Sequence, residues 1–313
     1  MGVEVPFVPL SDGKSVPIVG LGTWKSKLGE GKQAVKDAIE LGYRHIDCAL
    51  YYENEEEIGE AIKEKIDDGT VKREELFITS KCWNTYHSKD KVVECCQKSL
   101  KALKLDYLDL FLIHWPMGYK EGGDLLPTDA NGHFLFSDVD YLETWMGMEE
   151  CHKRGYVRSI GISNFNISQI KRLWENAIIK PVMNQVESHP YLNQFELLEF
   201  CNRLNVKITA YCPLGAPYQY GSKPGEKNLL EDPILKEIAS NYSKTTAQVA
   251  LRYQIQRGVI VVPKSSNKER LKSNIEIFDF KLSRDEMKAI EALNCNIRIV
   301  TMIHSKSHPY YPF

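Results

Sequence analysis

The sequence predicts an α/β fold, a closed (β/α)8 TIM barrel with an N-terminal β-hairpin and long active-face loops. Three observations carry this expectation. Eight short apolar runs recur along the 313 residues, an amphipathic stretch follows each, and the runs alternate little between polar and apolar residues. Parallel strands buried on both faces have that last property. Such a barrel takes roughly 250 residues, and neither a linker nor a low-complexity tract divides the chain, so residues 1–313 read as one domain.

Taken in order, PFVPL and SVPIV flank the turn signal Ser11-Asp12-Gly13-Lys14, which predicts a hairpin placed to plug the barrel bottom. The eight strand runs follow: VGLGTW, RHID, ELFITSK, DLFLIH, VRSIGISN, VMNQVE, VKITAY and VIVVPK. Between them, Val35, Ala38, Ile39 and Gly42 fall at i, i+3, i+4 and i+7, and Ile58, Ala61, Ile62 and Ile66 nearly repeat the pattern, as helices covering a sheet require. The open dinucleotide-binding sheet is the rival arrangement. Its fingerprint is incomplete, because Gly20-Leu21-Gly22-Thr23-Trp24-Lys25 begins like GxGxxG but has Lys at the third glycine position. Two connections, Trp115 to Ser137 and Cys212 to Glu231, are too long for ordinary barrel loops and read as lids or binding loops. After Cys295 there is no helical period, yet aromatic and apolar residues persist to the end in HSKSHPYYPF, which favours a pocket wall over a frayed tail.

Composition narrows the function. With 43% hydrophobic and 26% charged residues and a net charge of -2, the chain has no general attraction to nucleic acid or to an anionic membrane. The first residues lack a cationic start and apolar stretch, and no run approaches the roughly 20 apolar residues of a membrane span. A soluble, cytoplasmic protein is expected. Eight cysteines show neither CxxC nor a Cys/His zinc spacing, so reduced thiols and no metal are expected, and the sequons at Asn166 and Asn241 read as chance matches. Without an apolar surface helix or a coiled-coil heptad, a monomer is expected.

Four polar residues stand out against this background. Asp47, Lys81 and His114 close three successive apolar runs, and Tyr52 follows the first by five residues. Parallel strands would aim all of them at one barrel face, where such folds keep their chemistry. Alone, a Lys–Asp pair at a strand end reads as structural, a lone histidine as a satisfied buried group, and a loop tyrosine as almost nothing. Together they suit carbonyl reduction, which needs a proton donor and a stabiliser of developing negative charge. Tyr52 would donate, Lys81 would be the cation that makes its proton easier to give, Asp47 would hold Lys81, and a neutral His114 would orient and polarise the carbonyl. A tyrosine acid without metal ligands implies a nicotinamide as the hydride source.

GYRHIDCALYYENEEEIGEA, DYLDLFLIHWP, GISNF, NQVESHPYL, AYCPLG and VPKSSNKERLKSN, in this order, resemble stretches of the aldo-keto reductase superfamily, in particular its aldose and aldehyde reductase group. The resemblance spans nearly the whole chain. It implies an NADPH site at Thr23, Trp24, Ser163, Asn164, Gln185, Tyr211, Leu214, Lys264, Ser265, Arg270 and Asn274, the last four around the 2′-phosphate. Read from the residues alone, Ser163 and Asn164 could equally cap a helix, and Lys264 to Asn274 could be a solvated basic loop. It also implies a substrate cleft lined by Trp24, Tyr51, Trp83, Trp115, Leu126 and Met302, apolar and aromatic, suited to hydrophobic aldehydes and ketones rather than free sugars. Trp83 and Trp115 could instead be ordinary packing residues.

The chain also departs from that group. Cys212 stands where serine is usual, Tyr218 where an acidic residue latches a loop against Lys25, and Ser273 where an acidic residue meets the adenine. Loss of the latch predicts faster exchange of NADP+. Leu50, often histidine, and Tyr51, often a small aliphatic, predict an altered substrate shape. The expected activity is NADPH-dependent reduction of small-molecule aldehydes and ketones. The alternatives are a 3-ketosteroid reductase acting on ecdysteroid-like ketones and a non-enzymatic NADPH-binding structural or regulatory protein, since fold does not prove turnover.

Overall fold

In the computed structural model, residues 3–27, 29–217 and 227–313 are described. The hairpin forms where the turn signal places it. Strands β1 (Phe7–Pro9) and β2 (Ser15–Pro17) pair antiparallel with Val8 opposite Val16, and Gly13 turns the chain with φ of 84°. Leu10 and Val16 pack with Phe77, Leu110, Met183 and Ile260, and Ser159 Oγ donates to Asp12 at 2.6 Å, so the hairpin closes the bottom of the barrel.

Eight parallel strands follow in sequence order: β3 (Leu21–Gly22), β4 (His45–Asp47), β5 (Phe77–Cys82), β6 (Leu108–Ile113), β7 (Val157–Ser163), β8 (Met183–Glu187), β9 (Lys207–Tyr211) and β10 (Ile260–Val261). Parallel bridges from Val19 to Val261 and from Gly22 to Lys264 join the first strand to the last and close the sheet on itself. The sequence runs at this seam are longer than the strands they yield. Pro263 has no N–H for the ladder, and only its carbonyl takes part, accepting from Gly22 N at 3.1 Å. The glycines that began like a dinucleotide fingerprint allow close approach, Gly20 to β4 and Gly22 to this seam. A Cβ on Gly20 would lie 2.7 Å from the His45 ring, and one on Gly22 would lie 2.7 Å from the Val262 carbonyl oxygen.

Ten α-helices occur among the described residues. Helices α1 (Glu30–Glu40), α2 (Glu55–Asp67), α3 (Lys89–Leu103), α4 (Tyr141–Lys153), α5 (Ile167–Asn176) and α6 (Phe195–Arg203) each follow one of the first six barrel strands. Four more come later: α7 (Pro233–Asn241), α8 (Thr246–Gln256), α9 (Lys268–Ile275) and α10 (Arg284–Glu291). The predicted faces are buried at Val35, Ala38 and Ile39 of α1 and at Ile58, Ala61 and Ile62 of α2. Gly42, expected on the first of these faces, lies beyond the end of α1 with φ of 104°, a left-handed position that suits glycine. The extra helices have their own small core of Leu235, Ile238, Val249, Tyr253 and Ile290. No helix among the described residues is long and apolar enough to cross a membrane.

Strand periodicity positions the site. Successive side chains point to opposite faces, and the outward positions Ile46, Ile78, Phe111, Ile160 and Val186 join the core between sheet and helices. The inward positions form layers. His45, Thr79, Leu110, Ser159 and Met183 are in phase near the bottom; toward the C-terminal mouth the same columns present Asp47, Lys81 and Gln185 two residues on and Ser163 four residues on. His114 continues the inward column of Leu110 and Leu112, and Tyr211 ends that of Thr209.

Candidate active site

Lys81 is the hub of the mouth. Its side chain is fully buried, and Nζ donates to Asp47 Oδ2 at 2.7 Å, to the Cys48 carbonyl at 2.9 Å and to Tyr52 Oη at 3.1 Å. Three acceptors use its three protons. Tyr52 is carried to this point by a 3-10 turn, Leu50–Tyr52, which begins three residues after β4. Because Lys81 donates to Oη, the phenol keeps its own proton to direct elsewhere. Burial and the Asp47 carboxylate push the Tyr52 phenol well above its ordinary value, so the net direction is opposite to that expected from the cation alone. The group is thereby held protonated at neutral pH.

His114 donates its backbone N–H to the Cys82 carbonyl at 3.0 Å, which extends the β5–β6 ladder. Its ring meets Tyr52 edge-on at 5.8 Å and Trp83 edge-on at 5.1 Å. Burial, then the nearby Lys81 ammonium, hold the imidazole well below its ordinary value, so it is neutral, as its apolar strand predicts. Nδ1 has no hydrogen-bond partner among the described residues.

A cleft of about 1300 Å³ opens over these groups and runs to the start of α9. At the near end Gln185 Nε2 donates to Asp47 Oδ1 at 2.7 Å, Ser163 Oγ to the Gln185 carbonyl at 2.8 Å, Asn164 Nδ2 to the His114 carbonyl at 2.9 Å, and Tyr211 Oη to Asn164 Oδ1 at 2.7 Å. Ser163 and Asn164 do not cap a helix. Asn166 caps α5, through a capping box with Gln169. At the far end Lys264, Ser265, Arg270, Ser273 and Asn274 line the cleft with Asn267, whose side chain caps α9 by accepting from Arg270 N at 2.9 Å. One end is therefore rich in amides and the other in cations and helix-start donors, the chemistry of an anion site.

Trp24, Tyr51, Trp83, Trp115, Leu214 and Met302 also line the cleft. Tyr51 stacks flat on Trp83 with centroids 3.7 Å apart, so this residue fills the wall where a small side chain would leave space. Two expected residues do not reach the lining. Thr23, just past the end of β3, is buried and donates Oγ1 to the Asp47 carbonyl at 2.9 Å, which turns it away from the cleft. Leu126 is exposed, and its neighbour Leu125 makes the contact instead, accepting from Trp83 Nε1 at 2.7 Å. Tyr218 lies outside the described residues. Cys212 lines the cleft, and all eight cysteines are free thiols.

The C-terminal stretch is a wall. Residues Ile299 to His304 line the cleft, Tyr311 Oη donates to the Thr301 carbonyl at 2.6 Å, and Tyr310 Oη to Asp140 at 2.9 Å. Glu187 secures the beginning of this wall, a role the sequence reading missed. The available signal was a carboxylate in phase with Gln185 at the end of an apolar strand.

Comparison with known proteins agrees with this geometry. The model of the Aldo/keto reductase family matches residues 18–295. Aldo-keto reductase family 1 member A1-A of Danio rerio is 48% identical over 316 residues, covering 98% of each chain. Among solved structures, the aldose reductase of Schistosoma japonicum superposes with a TM-score of 0.93 at 44% identity, covering 98% of both chains. A Bombyx mori aldo-keto reductase in complex with NADP gives a TM-score of 0.92 at 43% identity, covering 100% of both. With its eight-stranded parallel barrel, its polar mouth and matches along almost all its length, this chain belongs to the aldo/keto reductase family of NADP-dependent oxidoreductases.

Proposed function

We propose that the chain reduces hydrophobic aldehydes and ketones to alcohols, with Tyr52 as proton donor. The observation that carries this reading is the bond from Lys81 Nζ to Tyr52 Oη at 3.1 Å, made while Asp47 holds the same ammonium at 2.7 Å. Tyr52 Oη gives its proton to the developing alkoxide, and the phenolate left behind is paired by the Lys81 ammonium until it is reprotonated. His114 positions the carbonyl oxygen by donating from Nε2. The apolar cleft excludes water and disfavours substrates with many unpaired hydroxyls.

The residues of the cleft fit NADPH. Gln185 Nε2 is committed to Asp47, which leaves its Oε1 to accept from a carboxamide, and Tyr211 is placed to stack on a ring. Lys264, Ser265, Arg270 and Asn274 supply donors for a 2′-phosphate. When bound there, the cofactor supplies the hydride. Thr23 contributes through Asp47 rather than by contact. The hairpin and the C-terminal wall are both packed on the same barrel, which supports reading residues 1–313 as one catalytic unit.

The test is NADPH oxidation with a panel of an aromatic aldehyde, a short aldose, a retinoid-like aldehyde and a 3-ketosteroid, with Tyr52→Phe beside the wild type. General acid catalysis contributes about 10²–10⁴-fold, so a loss of that order, with NADPH binding retained, is expected. Equal activity in the variant, or a silent wild type, would overturn the reading. A kcat/KM highest for the ketosteroid would select the ecdysteroid-like alternative.

A further inference from the structure

We propose that Glu187 is a positioning residue that sets substrate preference by clamping the C-terminal wall of the cleft. This rests on the carbonyl-reductase reading above. Glu187 is the last residue of β8 and is wholly buried. Oε1 accepts from Ile299 N at 2.8 Å and Oε2 from Val300 N at 2.8 Å, so one carboxylate holds two consecutive amides of the wall. His189 Nε2 lies 2.9 Å from Oε1 and, facing a carboxylate, must be the protonated nitrogen of that ring. Arg298, just before the clamped pair, adds a guanidinium within electrostatic range of Glu187.

The clamp sits where position matters. The clamped pair and the residues that follow it, Thr301 to His304, line the cleft, and Val300 and Met302 pack into the cluster of Trp83, Trp115 and Tyr119. Gln185 and Glu187 occupy the same inward column of β8. The strand that contributes Gln185 to the amide-rich end of the cleft therefore also fixes its distant wall, and the spacing between them is set by rigid backbone. Hydrogen bonds to an ionised acceptor are short and strong, and backbone donors that lose a buried acceptor regain one only by meeting water. Without the carboxylate, Ile299 and Val300 would move outward and carry the wall with them. A large substrate packed against that wall loses its positioning, whereas a short aldehyde that reacts near Tyr52 without reaching it loses much less.

The experiment compares kcat/KM for a ring ketone and for propanal in wild type, Glu187→Gln and Glu187→Ala. Misplacement of about 1 Å can cost up to 10²-fold, so the ketone-to-propanal ratio is expected to fall by about tenfold or more in Glu187→Ala and by less in Glu187→Gln, which keeps one acceptor. A ratio that is unchanged or raised would overturn the clamp, since a merely structural role would lower both substrates together. A wild type inactive on both would instead sink the carbonyl-reductase reading. Hydrogen–deuterium exchange on the wild type is read independently of activity and of how the variants fold. The Ile299 and Val300 amides should be the slowest of the segment after Cys295, and exchange at the rate of open chain would refute the clamp.

Discussion

Gln185 donates Nε2 to Asp47 Oδ1 at 2.7 Å, on the oxygen opposite the one that receives Lys81. The Asp47 carboxylate is therefore held from both sides, by the ammonium that reaches Tyr52 and by the amide that faces the near end of the cleft. A residue read only as a cofactor contact thus also holds the Asp47 carboxylate. Hydrogen bonds to charged groups contribute roughly 1.5–3 kcal/mol, so Gln185→Met should weaken NADPH and lower the single-turnover rate, each by about tenfold or more. Calorimetric titration and rapid-mixing kinetics measure the two effects. Loss of NADPH affinity with an unchanged single-turnover rate would mean that the Asp47 contact is idle.

Arg270→Ala tests the anion end. Its backbone N–H, in the first turn of α9, donates to the Asn267 cap, and the residue lines the cleft. If the side chain meets a 2′-phosphate, NADPH affinity falls by roughly tenfold or more while NADH affinity barely changes. Equal losses for the two cofactors would remove the phosphate assignment.

Stability should fall on acidification. Burial holds the imidazoles of His45 at about 4 and His87 at about 3, and that of His114 well below its ordinary value. Each is neutral when folded and takes up a proton near pH 6.5 when unfolded, so the unfolded chain binds more protons below that pH. The contribution is complete above pH 6.5 and is lost as pH falls toward the folded values, at roughly 1.4 kcal/mol per pH unit for each histidine. Urea midpoints measured from pH 7 to pH 4.5 should decrease steadily. A midpoint that is flat across this range would contradict the buried neutral assignment.

Gly22→Ala probes the seam. The added Cβ would meet the Val262 carbonyl oxygen at 2.7 Å, and that contact is with backbone, which cannot swing aside. A loss of about 1–3 kcal/mol is expected from urea unfolding. A neutral outcome would show that the first and last strands can separate without cost.

The barrel and its polar mouth were legible because both rest on local rules. Asp47, Lys81 and His114 each close an apolar run, parallel strands bring such ends to one face, and a short apolar run cannot hide a lysine unless something pairs it. What the sequence did not show was set by contacts between distant segments. Thr23 and Leu126 carried suitable side chains, but the turn after β3 and the path of the loop after β6 aim them away from the cleft. The clamp at Glu187 links residues more than a hundred positions apart, and no periodicity announces such a pair. The direction at Tyr52 was also missed, because the effect of burial depends on how many atoms surround the phenol rather than on which residue is its neighbour.

The aromatic lining has an optical consequence. Of the five tryptophans in the chain, Trp24, Trp83 and Trp115 surround the cleft, whereas Trp145, on α4, is buried with Nε1 donating to the Ile179 carbonyl, and Trp174, on α5, lies under the Lys180 ammonium. Three emitters thus border the space a ligand would fill, and two report from the outer shell. Occupancy of the cleft can be read as quenching of intrinsic emission without any label, and removing the cleft tryptophans one at a time would tell which end of the channel a ligand has entered.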